Sequence, residues 1–293
     1  MRKLLITGSG GFLGWNLCSE AAAEYDLHGI YRSVPSGVEG VQETQLDLID
    51  LKELEQFIIG LRPDAIIHTA AFSNNNALQS QPEAGKAINI DVSKRLAQLS
   101  RELNFQLVFT STDLVFDGKK GMYTEEDDVN PISFYGEQKV QAEEAILSEN
   151  PKACVCRMPL MLGATGTKNA SFLQNFLERT AKGEAYPLFT DEYRTPIGAR
   201  SAARALILAA GDKWSGVYHL GGTERMNRNE MGELFIRALD LENVKLKPCT
   251  HDDVKLAAPR QKNATLNSDK AKKLGFNPLS LEPEIKKWKN QIL

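Results

Sequence analysis

The chain has 293 residues, enough for one large domain or two unequal ones, and its 42% hydrophobic and 25% charged residues are ordinary for a globular protein. A formal net charge of −3 offers no attraction to nucleic acid or an anionic membrane, and no apolar run is long enough to span one. Four scattered cysteines (Cys18, Cys154, Cys156, Cys249) make no disulfide framework and read as buried reduced thiols; with no leader ahead of the first strand, the expected location is the cytoplasm.

The opening stretch, MRKLLITGSGGFLG, organises the rest. Residues 3–7 are a short apolar run stopped by glycine, the pattern of a buried parallel strand. Gly8, Gly11 and Gly14 follow, and a helical pattern opens with Phe12, Leu13, Leu17 and Cys18. Strand, tight glycine turn and helix make half of a dinucleotide site: Gly8 reverses the chain, Gly11 lets backbone N–H groups approach a pyrophosphate, and Gly14 lets helix and strand pack closely. The helix N-terminus adds free N–H groups and a positive dipole end. The spacing is G-x-x-G-x-x-G, not the usual G-x-G-x-x-G, and the competing reading is an ordinary glycine-rich turn.

Residues 26–31 form a second predicted strand, ending at Arg32 and Ser33. An acid at this point would hold the ribose 2′-hydroxyl of NAD. Arg32 instead suits the 2′-phosphate of NADP(H), which is favoured as cofactor, with NAD(H) the alternative. A third strand spans residues 42–46 and runs into Asp47 and Leu48; a helix follows over residues 50–60 with Asp50 as N-cap. Residues 65–68 make a fourth strand running into Thr69, Ala70 and Ala71, small residues that let a cofactor lie against the backbone. His68 reads as a satisfied strand residue, and no metal site is expected.

A long helix is expected over residues 82–103 with Ile88, Val92, Leu96 and Leu99 on one face. Asn89 lies off that stripe and reads equally as a solvated residue or as one with work in the site. Residues 105–110 are a fifth strand ending in Ser111, Thr112 and Asp113, where ligands bind in such sheets. Residues 118–131 read as an acidic surface loop. Beyond it, Tyr135 and Lys139 lie four apart on one helix face. A free tyrosine titrates near ~10. An adjacent ammonium lowers that value and makes the residue a usable general acid or base, with Thr112 placed to bond the same substrate oxygen.

A sixth strand spans residues 153–157, and a helix 171–182. Residues 191–196 read as a polar turn, 197–210 as a helix, 217–220 as a strand and 227–239 as an amphipathic helix. The tail from Lys270 is basic and ends in a short helix around Trp288.

In that order, TGSGGFLG, LDL, TAA, FTSTDLVFDG and YGEQK resemble the extended short-chain dehydrogenase/reductase family. Within it, STDLVFDG and LRPDAIIHTAA most resemble the dTDP-4-dehydrorhamnose reductase group, densely over residues 1–157 and more thinly beyond, apart from DEYRTPIGARSAARAL. The resemblance implies an α/β fold: a Rossmann-type doubly wound parallel sheet with a smaller, mainly C-terminal substrate domain. Residues 1–160 and 195–221 would form the dinucleotide domain, and 161–194 and 222–293 the substrate domain.

It also implies roles. Gly8, Gly11, Phe12, Leu13 and Gly14 would hold the pyrophosphate, Asp47 and Leu48 would meet adenine, and Thr69, Ala70 and Ala71 would line the cofactor path. Thr112, Tyr135 and Lys139 would be the catalytic set: Tyr135 protonates the carbonyl oxygen, Lys139 lowers its pKa and holds the nicotinamide ribose, and Thr112 positions the carbonyl. Asp113 would touch substrate.

Two departures from the pattern count. The sugar dehydratases carry Asp-Glu after the threonine, whereas Leu114 follows Asp113 here, so simple reduction is favoured. The stretch NNNALQ at residues 74–79 stands where substrate contacts are expected without matching the pattern. The implied activity is NAD(P)H-dependent reduction of a 4-keto group on a nucleotide-activated deoxysugar, by a homodimer. The alternatives are an epimerase using the same tyrosine, or a non-catalytic NADP-binding subunit, as in the regulatory subunit of methionine adenosyltransferase, which resembles this group.

Overall fold

The computed structural model describes residues 1–166 and 171–292. The first half alternates strands and helices: β1 (Lys3–Thr7), α1 (Phe12–Ala21), β2 (Asp26–Tyr31), β3 (Val41–Gln45), α2 (Leu51–Leu61), β4 (Ala65–His68), α3 (Asn75–Ser80), α4 (Val92–Leu103), β5 (Gln106–Thr112), α5 (Phe134–Glu149) and β6 (Cys154–Met158). Then come β7 (Met161–Leu162), α6 (Phe172–Ala181), β8 (Tyr186–Phe189), β9 (Tyr193–Arg194), β10 (Ile197–Gly198), α7 (Ala199–Gly211), β11 (Gly216–His219), β12 (Met226–Asn227), α8 (Arg228–Leu239), β13 (Leu246–Cys249), α9 (Asp269–Lys272) and α10 (Leu281–Lys287).

Seven strands form one sheet in the order β11-β6-β5-β4-β1-β2-β3, every pair parallel. The direction of winding reverses between β1 and β4, which pair directly. This is the Rossmann-type doubly wound sheet, and a crevice at the carboxyl ends of its strands is the place where such sheets bind ligands.

Helices cover both faces, which is why the strands read as nearly unbroken apolar runs. Side chains alternate between faces along each strand. Leu4, Ile6, Ile67, Val108, Cys154 and Cys156 pack with Leu13, Leu17 and Ala21 of α1 and with Ala202, Leu206 and Ala209 of α7. Leu5, Ile66, Leu107, Phe109 and Val155 face the other way, onto Leu54 and Ile58 of α2, Leu96 and Leu99 of α4, and Ala142 and Ile146 of α5. Cys154 and Cys156 share a face as the alternation requires, and all four cysteines are free and buried.

A third core, outside the sheet, joins Leu162, Leu173, Phe176, Leu188, Met231, Phe235, Leu281 and Ile285. Three two-stranded ribbons stitch it together: β10 with β7, β12 with β9 and β13 with β8.

Several expected elements differ. The single helix over residues 82–103 is a 3₁₀ turn (Pro82–Gly85), a π-helical turn (Ala87–Asp91) and then α4. Residues 118–131 are not a free surface loop. Tyr123 is buried, stacks on Phe116 with centroids 4.1 Å apart, and its N–H bonds Thr265 O at 2.9 Å. Residues 197–198 are the short strand β10, paired with β7, and α7 starts at Ala199.

Candidate active site

At the amino end of the cavity, Gly8 has φ +75 and its N–H, like that of Ser9, bonds Ile30 O, at 2.8 and 3.0 Å. The chain thereby turns from β1 across the end of β2 and enters α1 at Gly11. That N-cap makes no side-chain capping bond and the first turn of α1 holds no acid, so no carboxylate of that turn competes with a phosphate; the N–H of Gly11 itself donates to Gly8 O at 2.9 Å. A Cβ on Gly14 would lie 2.0 Å from Gly8 O, which is the close packing expected of it. Gly10, not singled out in the sequence, is just as constrained: a Cβ there would stand 1.8 Å from Val34 O.

Glu43 was also missed. Its carboxylate accepts from Ser9 Oγ at 2.9 Å, Ser36 N at 2.8 Å and Gly37 N at 3.0 Å, and so pins the glycine turn to the β2–β3 connection. Arg32 and Ser33 are exposed at the end of β2, on the wall of the same cavity.

That cavity holds about 890 Å³. Gly8, Gly11, Phe12, Leu13 and Gly14 line its first part; Asp47, Leu48, Thr69, Ala70 and Ala71 its middle; Thr112, Asp113, Tyr135 and Lys139 its far part. Every residue given a cofactor or catalytic role from sequence, and Asp113 among those expected to meet substrate, therefore lines one space. Thr69 Oγ1 donates to Thr7 O at 2.7 Å, tying the carboxyl ends of β4 and β1 together.

Ser133 caps α5 by accepting from Gly136 N at 3.3 Å, which sets Tyr135 and Lys139 one turn apart at the start of the helix. Lys139 is buried, donates to Thr110 O at 2.6 Å and lies 3.8 Å from the centroid of the Phe109 ring. Burial pushes its ammonium down to about 7, against the pull of Glu143 one turn on. Glu143 is paired in the interior with Arg157 at 2.7 Å and also accepts from Ser111 Oγ.

The expected lowering of Tyr135 is reversed here. Burial, and after it the charge of Asp113, push the phenol above its ordinary range. Tyr135 is therefore held as the proton-bearing form. Thr112 Oγ1 donates to Asp113 Oδ1 at 3.2 Å and accepts from Leu114 N at 3.2 Å.

Two polar residues support this end. His68 is fully enclosed between Thr7 Oγ1 (2.6 Å) and Ser93 Oγ (3.2 Å), and burial, then Lys139, hold its imidazole down at about 3, so it stays neutral. Asn89 lies in the π-helical turn and is buried; it accepts from Phe72 N at 2.9 Å, donates to Phe72 O at 3.1 Å and donates to Gln138 Oε1 at 2.8 Å. It is a structural bracket between the β4 end and α5, not a solvated helix residue. Single π turns mark functional sites in many helices.

The substrate end departs most from expectation. Residues 191–196 are no exposed turn: Glu192, Arg194 and Thr195 are buried. Arg194 Nε stands 3.1 Å from Asp113 Oδ2, and Arg228 NH2 stands 2.7 Å from Glu192 Oε1. Burial opposes the Glu192 carboxylate, but Arg228, His251, Arg194 and Arg260 together hold it well below the usual range. Burial, only partly offset by Arg194 and Thr112, raises Asp113 to about 6. Arg194, Arg228 and Arg260 all line the cavity.

The 74–79 stretch is mostly structural. Asn74 caps α3, Asn76 Oδ1 accepts from Ala258 N at 3.3 Å, and Gln79 Oε1 accepts from Phe134 N at 3.4 Å; Asn75 alone of the six reaches the cavity. Among the described residues no helix is long and apolar enough to cross a membrane.

Residues 1–292 match the family described as the RmlD substrate binding domain. The chain belongs to that family. It is 29% identical over 285 residues to methionine adenosyltransferase 2 subunit beta of Rattus norvegicus, covering 94% of this chain and 83% of the rat protein. A solved structure described as a hypothetical dTDP-4-dehydrorhamnose reductase from Sulfolobus tokodaii is 30% identical, with a TM-score of 0.82 over 93% of this chain and 94% of that one. The Bacillus anthracis dTDP-4-dehydrorhamnose reductase, solved in complex with NADP, shares the fold at a TM-score of 0.87 and 22% identity, covering 98% of this chain and 99% of that one.

Proposed function

We propose that this RmlD-family chain is an NADPH-dependent reductase of a 4-keto group on a nucleotide-activated deoxysugar. The observation that carries it is one continuous cavity, which runs from an uncapped helix N-terminus through Thr112, Tyr135 and Lys139 to a cluster of arginines. One end suits a dinucleotide, the middle a reacting carbonyl, and the far end an anionic tail. The residues fit NADPH: the first turn of α1 carries neither an acid nor a side-chain cap, and Arg32 with Ser33 lines the same cavity, a guanidinium and a hydroxyl suited to a 2′-phosphate.

Bound NADPH supplies the hydride. Tyr135 donates its proton to the carbonyl oxygen as negative charge develops there, and its raised pKa keeps that proton in place until then. Thr112 orients the same oxygen. Lys139, positive below its lowered pKa and fixed by Thr110 O, stabilises the phenolate left behind and presents N–H groups to the cofactor ribose. Arg228 and Arg260 meet the diphosphate of the substrate, a pairing of guanidinium with phosphate oxygens. Residues 1–160 with 195–221 carry the cofactor half, and 161–194 with 222–293 the substrate half. Leu114 after Asp113 leaves no second acid for dehydration.

The test has two steps. NADPH and NADH are titrated by fluorescence, with tighter NADPH binding expected. Nucleotide-linked 4-keto-6-deoxy sugars are then offered with NADPH; oxidation of the cofactor in step with loss of the ketone supports the reading, and bound cofactor without turnover of any of them counts against it.

A second reading has one specific support, the likeness to a subunit named as part of methionine adenosyltransferase 2. On that reading the cofactor site serves a partner enzyme and Tyr135→Phe leaves the partner's activity unchanged.

A further inference from the structure

Arg194 lies on β9, outside the main sheet, yet its guanidinium reaches the carboxyl end of β5 and is buried there. It is held from several sides. NH1 donates to Tyr193 O at 2.9 Å and Gln261 O at 3.0 Å, and NH2 stands 3.6 Å from Glu192 Oε1. Glu192 is fixed in turn by Arg228. So many bonds leave Arg194 little freedom to swing away from Asp113.

Asp113 is less satisfied. One oxygen, Oδ1, accepts from Thr112. The other, Oδ2, is buried and accepts no hydrogen bond among the described residues, because Arg194 Nε at 3.1 Å is close enough to balance charge but not aligned to donate. A buried carboxylate oxygen without a donor is costly, and a ligand that brings the donor accounts for it. Asp113 lines the same cavity as Thr112 and Tyr135.

We propose that Arg194 is a positioning residue that holds Asp113 as a hydrogen-bond acceptor beside Thr112 and Tyr135, and that Asp113 selects a keto sugar bearing a free hydroxyl on the carbon next to the reacting carbonyl. This rests on the reductase reading above. The division of labour follows from chemistry. Thr112 and Tyr135 carry hydroxyl protons and suit the carbonyl oxygen. Asp113 alone offers only acceptors, so its complement is a donor on the adjoining carbon. In a 4-keto-6-deoxy sugar the C5 side carries a methyl group, which leaves the C3 hydroxyl. An ether oxygen or a second ketone at C3 would face the carboxylate lone pairs and be repelled.

The experiment compares two substrates and four proteins. Wild type, Asp113→Asn, Arg194→Lys and Arg194→Met are assayed with NADPH on a dTDP-linked 4-keto-6-deoxyhexose and on its 3-deoxy analogue; sugar binding is followed by calorimetry and NADPH binding confirms folding. The wild type is expected to favour the hydroxylated sugar by about 30-fold or more in kcat/KM, the worth of a hydrogen bond to a charged group. Asp113→Asn is expected to reduce that preference at least fivefold. Arg194→Met should reduce it likewise, whereas Arg194→Lys, which restores the charge, keeps most of it. A preference unchanged in Asp113→Asn, on a wild type that reduces the sugar, overturns the role of Asp113 and leaves the reductase reading standing. A preference lost in Asp113→Asn but kept in Arg194→Met overturns the role of Arg194. A wild type that neither binds nor reduces either sugar overturns the reductase reading and this inference together. Should Arg194→Met fail to bind NADPH, the lysine variant decides: preference lost there, with NADPH still bound, shows that charge alone does not position Asp113 and overturns the role of Arg194 as stated, and preference kept supports it.

Discussion

Asn89 Nδ2 donates to Gln138 Oε1 at 2.8 Å, which joins the π-helical turn before α4 to the residue immediately preceding Lys139. The same amide brackets the backbone N–H and C=O of Phe72, on the loop that leaves β4. Gln138 passes the chain on by donating to Pro82 O at 2.5 Å. One buried side chain therefore sets the spacing between the cofactor wall at residues 69–72 and the helix that carries Tyr135 and Lys139. Asn89→Ala leaves the Phe72 N–H and the Gln138 carbonyl without partners. The expected loss is about 2 kcal/mol or more of stability, read as a lower urea midpoint at unchanged slope. Asn89→Asp should be nearly as damaging, since the donors to Phe72 O and Gln138 disappear. A midpoint within error of wild type for both variants would remove Asn89 from the scaffold of the site.

Tyr135→Phe separates chemistry from assembly. Among the described residues the cap at the start of α5 is made by Ser133 and not by the phenol oxygen. On the reductase reading the variant keeps NADPH affinity within about threefold and loses about two or more orders of magnitude in kcat. Full turnover in the variant would transfer the proton donor to another group.

Arg32 tests cofactor choice. Its side chain is exposed at the end of β2, and its carbonyl is already engaged by Gln45 Nε2 at 2.9 Å, so replacing the side chain leaves the β2–β3 pairing intact. Arg32→Ala is expected to weaken NADPH binding about tenfold or more, and NADH binding far less. Equal losses for both cofactors would show that Arg32 meets something common to them. Titration of both cofactors against wild type and variant reads this directly.

Gly14 makes a steric prediction. A methyl group there would sit 2.0 Å from Gly8 O, backbone that has no alternative position because Gly8 N–H is bonded to Ile30 O. Gly14→Ala must push α1 away from β1, so both the melting temperature and cofactor affinity fall. Gly60→Ala is the control, since nothing lies within 4 Å of a Cβ at that helix position and a small gain is expected there. Circular dichroism melts with and without NADPH distinguish the two.

What the sequence made legible was local or periodic. The β1–glycine–α1 unit shows because all its parts lie within fourteen consecutive positions, and Tyr135 with Lys139 because a helix brings residues four apart together. The two sheet faces follow from alternation along each strand. The misses share one cause: their meaning is set by partners far away in the chain. Arg194 looks like a surface arginine until Asp113 and Gln261 are placed around it. Residues 118–131 look solvated until Thr265 supplies the partner for Tyr123. The direction of the Tyr135 shift depends on how deeply the cavity buries the phenol, which spacing does not encode.

Lys139 gives the last prediction, in which the sign is decisive. Burial lowers its folded-state pKa from the ordinary lysine value of 10.5 to about 7. Between those two pH values the unfolded chain holds a proton that the folded chain has released. Stability therefore rises with pH across that window: the cost of the buried ammonium is complete below pH about 7 and is relieved as the group deprotonates above it. Lys139→Met removes the titration while keeping a long apolar stem. The melting temperature of wild type minus that of the variant should thus be more positive at pH 9 than at pH 6, by about 2 °C or more. The opposite slope would mean that Thr110 O and the Phe109 ring stabilise the ammonium beyond its hydration in water, and a flat difference would mean that the group titrates as it does in the unfolded chain.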